Sequence, residues 1–283
     1  MNAISVRNLN KTFGKKLALD NISLDIAKGE MVALIGASGS GKSTLMRHIC
    51  GLETAQAGLG RIEIMGRSIQ SGGRLARDAR GLRRNIGVVF QQFNLVARLS
   101  TLSNVLLGNL GRIPVWRGTL GLFSAEEKRL AREALARVGI PEVGWQRAST
   151  LSGGQQQRAA IARTLVQRSE ILLADEPTAA LDSENGQAVM ALLAEIAKDK
   201  SHAVLAVTHD HRTLPYADRI IHIEDGLIVG DERPERDRGA IVSPPPTIPL
   251  DAMRPAGGPV ATSPAADGAH QRPSKKRKNK SHG

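Results

Sequence analysis

Met31-Val32-Ala33-Leu34-Ile35 runs without a break into Gly36-Ala37-Ser38-Gly39-Ser40-Gly41-Lys42-Ser43-Thr44. The apolar run, with no polar interruption, predicts a strand buried on both faces. The segment after it matches G-x-x-x-x-G-K-[ST], and residues from Ser43 to about Ile49 predict a helix. A glycine-rich turn between a buried strand and a helix lets backbone N–H groups converge on one point. No Cβ stands in the way there, and the positive end of the helix adds its attraction. Such a turn holds phosphate. Lys42 is placed to reach the outer phosphates, and the Ser43 hydroxyl to ligate Mg²⁺.

Outward from this turn, strand-like and helix-like patterns alternate, which predicts an α/β fold with a parallel sheet. Further short apolar runs stand at Gly87-Val88-Val89-Phe90, Ile171-Leu172-Leu173-Ala174 and Ala203-Val204-Leu205-Ala206-Val207. A long insert of helical character separates the first two of these. Within it Ser124 and Glu127 are spaced as a capping box, and Leu130, Ala134 and Val138 share a face. Gly139 and Pro141 then stop the helix. A later helix carries Val189, Leu192, Leu193 and Ile196 on one stripe.

The run Ile171–Ala174 ends in Asp175-Glu176. With a phosphate loop elsewhere in the chain, an acid at a strand end fits the carboxylate that holds Mg²⁺ from behind its ligands. Glu176 beside it is placed to accept a proton from an attacking water. Leu151-Ser152-Gly153-Gly154-Gln155 lies 175 − 155 = 20 residues upstream of Asp175. Ser152 can cap a helix over 153–168, and the two glycines leave its first amides uncovered. That makes a second anion site, which is hard to explain unless it serves a nucleotide held by another subunit.

With these motifs in this order, the chain resembles the ATP-binding subunits of ABC transporters over about residues 3–231. The resemblance implies an ABC-type P-loop fold over 1–232, with a helical subdomain at about 91–168 and a small N-terminal β subdomain. It implies ATP and Mg²⁺ as ligands, with Gly36 to Thr44 around the phosphates and Ser43, Gln91 and Asp175 around the metal. A head-to-tail homodimer is implied, in which Ser152, Gly153, Gly154 and Gln155 meet the γ-phosphate held by the opposite P-loop. Phe13 matches the aromatic that stacks on adenine, and Gln91 the residue that touches Mg²⁺ and water and senses a membrane partner. Asp182, in Ala179-Ala180-Leu181-Asp182, matches the D-loop, and His209 the switch histidine at the γ-phosphate. Glu176, His209 and Gln91 are thus the expected catalytic residues. The implied partners are an integral membrane permease and, for an importer, a solute-binding protein. The implied location is peripheral, at the cytoplasmic face of the inner membrane.

Other readings of these residues stand beside these. Phe13 could be a core aromatic, Gln92 could take the place of Gln91, and His209 with His211 could form a metal pair. Cys50 reads as a small packed residue. The segments Gly73–Arg80, Phe90–Val96 and Asn104–Arg117 resemble ATPases of phosphonate import. Leu181–Gly186 and His209–Gly226 resemble those of lipoprotein-releasing and macrolide-type exporters.

Composition narrows the classes. The chain has 283 residues, 39 Lys+Arg against 27 Asp+Glu, a net charge of +12 and 41% hydrophobic residues. That is enough apolar material for a sizeable core, which excludes a collagen and a wholly disordered chain. Aromatic residues are 2%, too few for the stacking platforms of single-strand binders, so no nucleic acid partner is expected. The lone Cys50 cannot form an intrachain disulfide, which suits a reducing compartment. With no apolar run of membrane-spanning length and no secretory leader pattern, the chain reads as soluble and cytosolic. Pro234 to Pro273 holds nine of the 13 prolines, and Lys275-Lys276-Arg277-Lys278 follows. Residues 233–283 are therefore expected to be a disordered, basic tail.

Overall fold

The computed structural model of the protein describes residues 1–234. The tail expected over 233–283 lies, from residue 235 onward, outside the described residues.

The described residues form two sheets. The first is antiparallel, formed by β1 (Asn2–Phe13), β2 (Lys16–Ala27), β4 (Arg61–Ile64), β5 (Arg67–Ser71) and β6 (Arg74–Leu75) in the order β2-β1-β4-β5-β6. The second contains β3 (Met31–Ile35), β7 (Ile86–Val89), β8 (Ile171–Asp175), β9 (Ala203–Val207), β10 (Arg219–Glu224) and β11 (Leu227–Glu232). Its order is β11-β10-β3-β9-β8-β7, parallel except where β11 turns back on β10. This is the α/β P-loop NTPase architecture.

Strands β3 and β9, and β8 up to Asp175, are apolar because both faces are covered. In β8 and β9 alternate residues serve opposite cores. Leu172, Ala174, Val204 and Ala206 face the helices α3 (Thr101–Leu106), α5 (Ala125–Arg137), α6 (Gly153–Val166) and α7 (Ser183–Lys198). Ile171, Leu173, Leu205 and Val207 face α1 (Lys42–Ile49) and the antiparallel sheet. Among the described residues the remaining α-helices are the short α2 (Ala79–Leu82) and α4 (Val115–Thr119). Helices α3 to α6 fill the segment between β7 and β8.

Local signals set several boundaries. Ser124 Oγ accepts from the Glu127 amide (3.1 Å) and Glu127 Oε2 from the Ser124 amide (2.6 Å), a capping box that opens α5. The helix ends at Arg137, just before Gly139 at φ +74°. Val189, Leu192, Leu193 and Ile196 are all buried on α7. Two boundaries differ from the sequence reading. β7 is Ile86–Val89, so Phe90 has already left the sheet, and α6 stops at Val166. Among the described residues no helix is long and apolar enough to cross a membrane.

Candidate active site

Parallel pairing places the chemistry at one edge. Leu34 lies opposite Val207, Val207 opposite Asp175, and Ala174 opposite Val89. The segments that follow β3, β7, β8 and β9 therefore emerge at the same carboxyl edge of the sheet, where open α/β folds bind ligands. Those segments carry the P-loop, Gln91, Glu176 and His209.

The P-loop leads into α1, whose N-cap is Gly41 and receives no side-chain cap. Its first amides are left for a ligand. Gly41 has φ +109°, and a Cβ there would lie 2.5 Å from the Ala18 carbonyl oxygen. Only glycine fits this junction between the loop and β2. Lys42 is buried, and its ammonium donates to the carbonyls of Gly36 and Ala37, both at 2.7 Å. Burial pulls its pKa below the ordinary lysine value, against the pull of Glu176 and Asp175.

Asp175 Oδ1 accepts from the Ser43 hydroxyl at 3.2 Å. Burial holds the Asp175 carboxyl above the usual carboxylate range, although the Ser43 bond opposes this. A carboxylate that is costly to ionise, hydrogen-bonded to a hydroxyl beside a phosphate loop, fits the setting of Mg²⁺. Among the described residues no cluster of three or more His, Cys, Asp or Glu could hold a metal.

Glu176 sits in the left-handed region at φ +48°. A side chain there costs about 1–2 kcal/mol, tolerated where the surroundings enforce it. Its amide donates to Val207 O at 2.9 Å, and its carboxylate stands 3.1 Å from His209 Nδ1. The end of β9 thus holds Glu176 by backbone and by side chain, and the expected base and switch histidine form one pair.

A cleft of about 250 Å³ opens in front of the loop, lined by Phe13, Lys16, Ser38, Lys42, Thr44 and Glu176 among others. Phe13 is 47% exposed, so it is not a core aromatic. The Lys11 ammonium stands 4.9 Å from the ring centre and donates to Thr54 O at 2.9 Å, which covers one face of the ring. Cys50 is buried and its thiol is pushed up to about 12 by burial, which leaves it packed and inert.

Ser152, Gly153, Gly154 and Gln155 do not line this cleft. Ser152 caps α6 in a second capping box: its Oγ accepts from the Gln155 amide (3.3 Å) and Gln155 Oε1 from the Ser152 amide (3.0 Å). The start of α6 packs on the Asp182 segment. A Cβ at Gly153 would be 3.3 Å from Ala180 O, and one at Gly154 2.9 Å from Asn185 Oδ1. Both Asp182 oxygens accept from Asn185, the backbone amide and the side-chain amide each at 2.8 Å, so Asp182 caps α7. These bonds hold its carboxyl below the usual range.

Gln91 and Gln92 are both exposed, on a loop where Phe93 (φ +24°) and Asn94 (φ +50°) turn left-handed. The turn is tied to α6 by a residue the sequence reading missed. Arg163 donates to Asn94 O (2.7 Å) and Phe93 O (3.3 Å), and burial lowers its pKa. The Phe93 ring lies 4.0 Å from a Cβ built on Gly153. The loop after Gln91 and the helix begun by Ser152 are therefore joined by hydrogen bonds at one point and packing at another. A helix position that contacts a distant loop carries no periodic signal, and nothing in the sequence of α6 sets Arg163 apart from Arg158.

The family model described as ABC transporter matches residues 19–179. A phosphonates import ATP-binding protein PhnC 1 of Pseudomonas aeruginosa is 56% identical over 230 residues, 81% of this chain and 83% of that protein. One from Cupriavidus metallidurans is 53% identical over 231 residues, 81% of each chain. Among solved structures, a dimeric bacterial ABC transporter cassette, MJ0796, is 37% identical with TM-score 0.70, covering 81% of this chain and 98% of its own. The same cassette with ADP and Pi gives 36% and 0.68, again covering 81% and 98%. Matches of 230 residues take in the downstream segments too, so the exporter-like reading of Leu181–Gly186 and His209–Gly226 is not favoured.

Proposed function

The chain belongs to the ABC transporter family, and we propose from this premise that it is the ATP-hydrolysing subunit of a phosphonate importer. The observation that carries the reading is the meeting, at one sheet edge, of Lys42 and Ser43 with Asp175 and the Glu176–His209 pair. The substrate class follows relatives named for phosphonate import that align with most of the chain.

In this reading Phe13 takes the adenine, and the amides from Ser38 to Thr44 with Lys42 hold the phosphates. Ser43, Asp175 and Gln91 would hold Mg²⁺, which when bound neutralises charge on the β- and γ-phosphate oxygens. Glu176 accepts a proton as a water oxygen bonds to the γ-phosphorus and the bond to ADP breaks. His209 orients that carboxylate across 3.1 Å. Ser152, Gly153, Gly154 and Gln155 complete the site on a second copy, a dimer supported by the dimeric cassettes of similar structure.

The partners are an integral membrane permease and a solute-binding protein, and the location is the cytoplasmic face of the inner membrane. A groove of about 530 Å³ between the 80–88 and 107–115 segments supports a docked partner. It is lined by Arg80, Arg84 and Arg112 together with Leu110, Ile113 and Val115.

Glu176→Gln removes the base and keeps its shape. Turnover should fall by about 10²-fold or more while ATP binding persists, and the ATP-bound protein should elute as a dimer in size-exclusion chromatography. Near-normal phosphate release would end the assignment of Glu176 as base.

A further inference from the structure

The hairpin that presents Phe13 presents a second group. Phe13 and Lys16 face each other in the β1–β2 register across a turn that includes Gly14 at φ +58°. Lys16 is two residues from Ala18, so both lie on one face of β2. The edge of β2 at Ala18 is pressed onto the end of the phosphate loop. The Ala18 carbonyl oxygen would stand 2.5 Å from a Cβ at Gly41 and 2.9 Å from one at Gly226, and the Gly226 amide donates to Ser40 O at 2.9 Å. Such close backbone approaches hold β2 against the loop with little room to shift. Lys16 is carried with it, and its ammonium lies 3.7 Å from a Cβ built on Gly39, in the middle of the phosphate loop.

Lys16 lines the same cleft as Phe13, Ser38, Lys42 and Thr44. The two lysines differ in what they already hold. Lys42 donates to two loop carbonyls. Among the described residues the Lys16 ammonium has neither a hydrogen-bond acceptor nor a carboxylate partner. It is an exposed cation, fixed at its base by glycine-tight packing and aimed at a loop built to gather anions.

We propose that Lys16 is a nucleotide-binding residue that contacts the phosphate chain beside Gly39, while Phe13, its cross-strand neighbour, takes the base. One four-residue hairpin then sets the distance between the base platform and a phosphate cation. The proposal rests on the ATP-binding reading of the cleft. Because the contact is an ion pair at the cleft rim, it acts on affinity and is weakened by salt.

The test uses the full chain with Lys16→Gln, Lys16→Arg and, as a control of equal charge change on the neighbouring residue, Lys15→Gln. Dissociation constants for ATP and ADP are measured by calorimetry at low and high salt, with KM and kcat for ATP and the unfolding midpoint without nucleotide. Lys16→Gln should weaken ATP and ADP about tenfold at low salt, with less loss at high salt. KM should rise with kcat held, and the unfolding midpoint should stay in place. Lys16→Arg should bind within about twofold of the parent, and Lys15→Gln should match it. Unchanged affinity in Lys16→Gln overturns the proposal. So does an equal loss in Lys15→Gln, which would mean general electrostatics, or an equal loss in Lys16→Arg, which would mean a packing role for the lysine itself. Failure of the parent protein to bind ATP would strike the ATPase reading; normal parent binding with an indifferent Lys16→Gln strikes only this one.

Discussion

Two helix starts in this chain are glycine-rich and are proposed to face the same kind of ligand, yet they are built differently. At α1 the N-cap is Gly41 with no side-chain cap, and a lysine and a hydroxyl stand in the first turn, with Asp175 3.2 Å from that hydroxyl. At α6 Ser152 and Gln155 cap each other, and Gly153, Gly154, Gln155 and Gln156 bring no charge. The capping box uses two amides and leaves those of Gly153 and Gly154 free. The first start is therefore a site in itself: donors, cation and acid are supplied by one chain. The second has donors alone, which suits its proposed role at a phosphate brought by another molecule. An incomplete site beside a complete one argues for a dimer whose two copies each complete the other.

The glycines offer the sharpest way to break this comparison. In Gly41→Ala the new methyl meets the Ala18 carbonyl, a backbone atom, at 2.5 Å, in a φ region that side chains avoid. A loss of at least about 2 kcal/mol of stability is expected, together with loss of ATP binding. In Gly154→Ala the methyl meets Asn185 Oδ1 at 2.9 Å, the end of a side chain that can move. That variant should fold and bind ATP as the parent does and lose hydrolysis. Equal damage to ATP binding from both would mean that the two starts serve one site in one chain. Chemical denaturation and equilibrium dialysis with ATP separate these outcomes.

Mixing sharpens the same point. A Lys42→Ala protomer keeps its α6 start, and a Gly154→Ala protomer keeps its P-loop. In a mixed dimer one composite site has both intact parts and the other has neither. The mixture should regain phosphate release that neither parent variant shows, rising with the fraction of mixed dimers. If every ratio remains inactive, the α6 start does not act on a neighbour's nucleotide.

What the sequence made legible was local. The strand before the P-loop, the capping boxes at Ser124 and Ser152, and the α7 stripe each depend on residues a few positions apart, and short-range spacing is what a sequence displays. Register shifts between Asn2 and Thr12 interrupt the alternation of the twelve-residue strand β1, whereas in β2 buried Ile22, Leu24 and Ile26 alternate with Ser23 and Asp25 as a half-buried strand does. Phe13 left two readings open since exposure depends on how the hairpin end meets the rest of the molecule. Lys16 and Arg163 were missed for a related reason. Each acts on a loop far away in sequence, Lys16 beside Gly39 and Arg163 at Phe93 and Asn94. Only the packing of sheet on loop, or of helix on loop, brings them there.

The smallest effect belongs to the loop after Gln91, which carries the apolar residues Phe93, Leu95 and Val96. The structure divides them. Leu95 is partly buried against the helical core, Phe93 lies near the α6 start, and Val96 is 47% exposed. The backbone of Val96 is pinned by the fully buried Asn104, whose Oδ1 accepts from the Val96 amide (2.7 Å) and whose Nδ2 donates to Val96 O (3.1 Å). A change of the Val96 side chain should therefore leave the loop in place. Val96→Asp is expected to alter stability by less than about 0.5 kcal/mol and to leave ATP hydrolysis by the isolated subunit unchanged. Leu95→Asp, by contrast, buries a charge against apolar neighbours and should destabilise the fold. If this exposed face receives the permease, Val96→Asp should weaken copurification with it and lower transport while basal hydrolysis persists. Normal assembly and transport in Val96→Asp would move the coupling surface off this loop and onto the arginine-lined groove beside Leu110 and Val115.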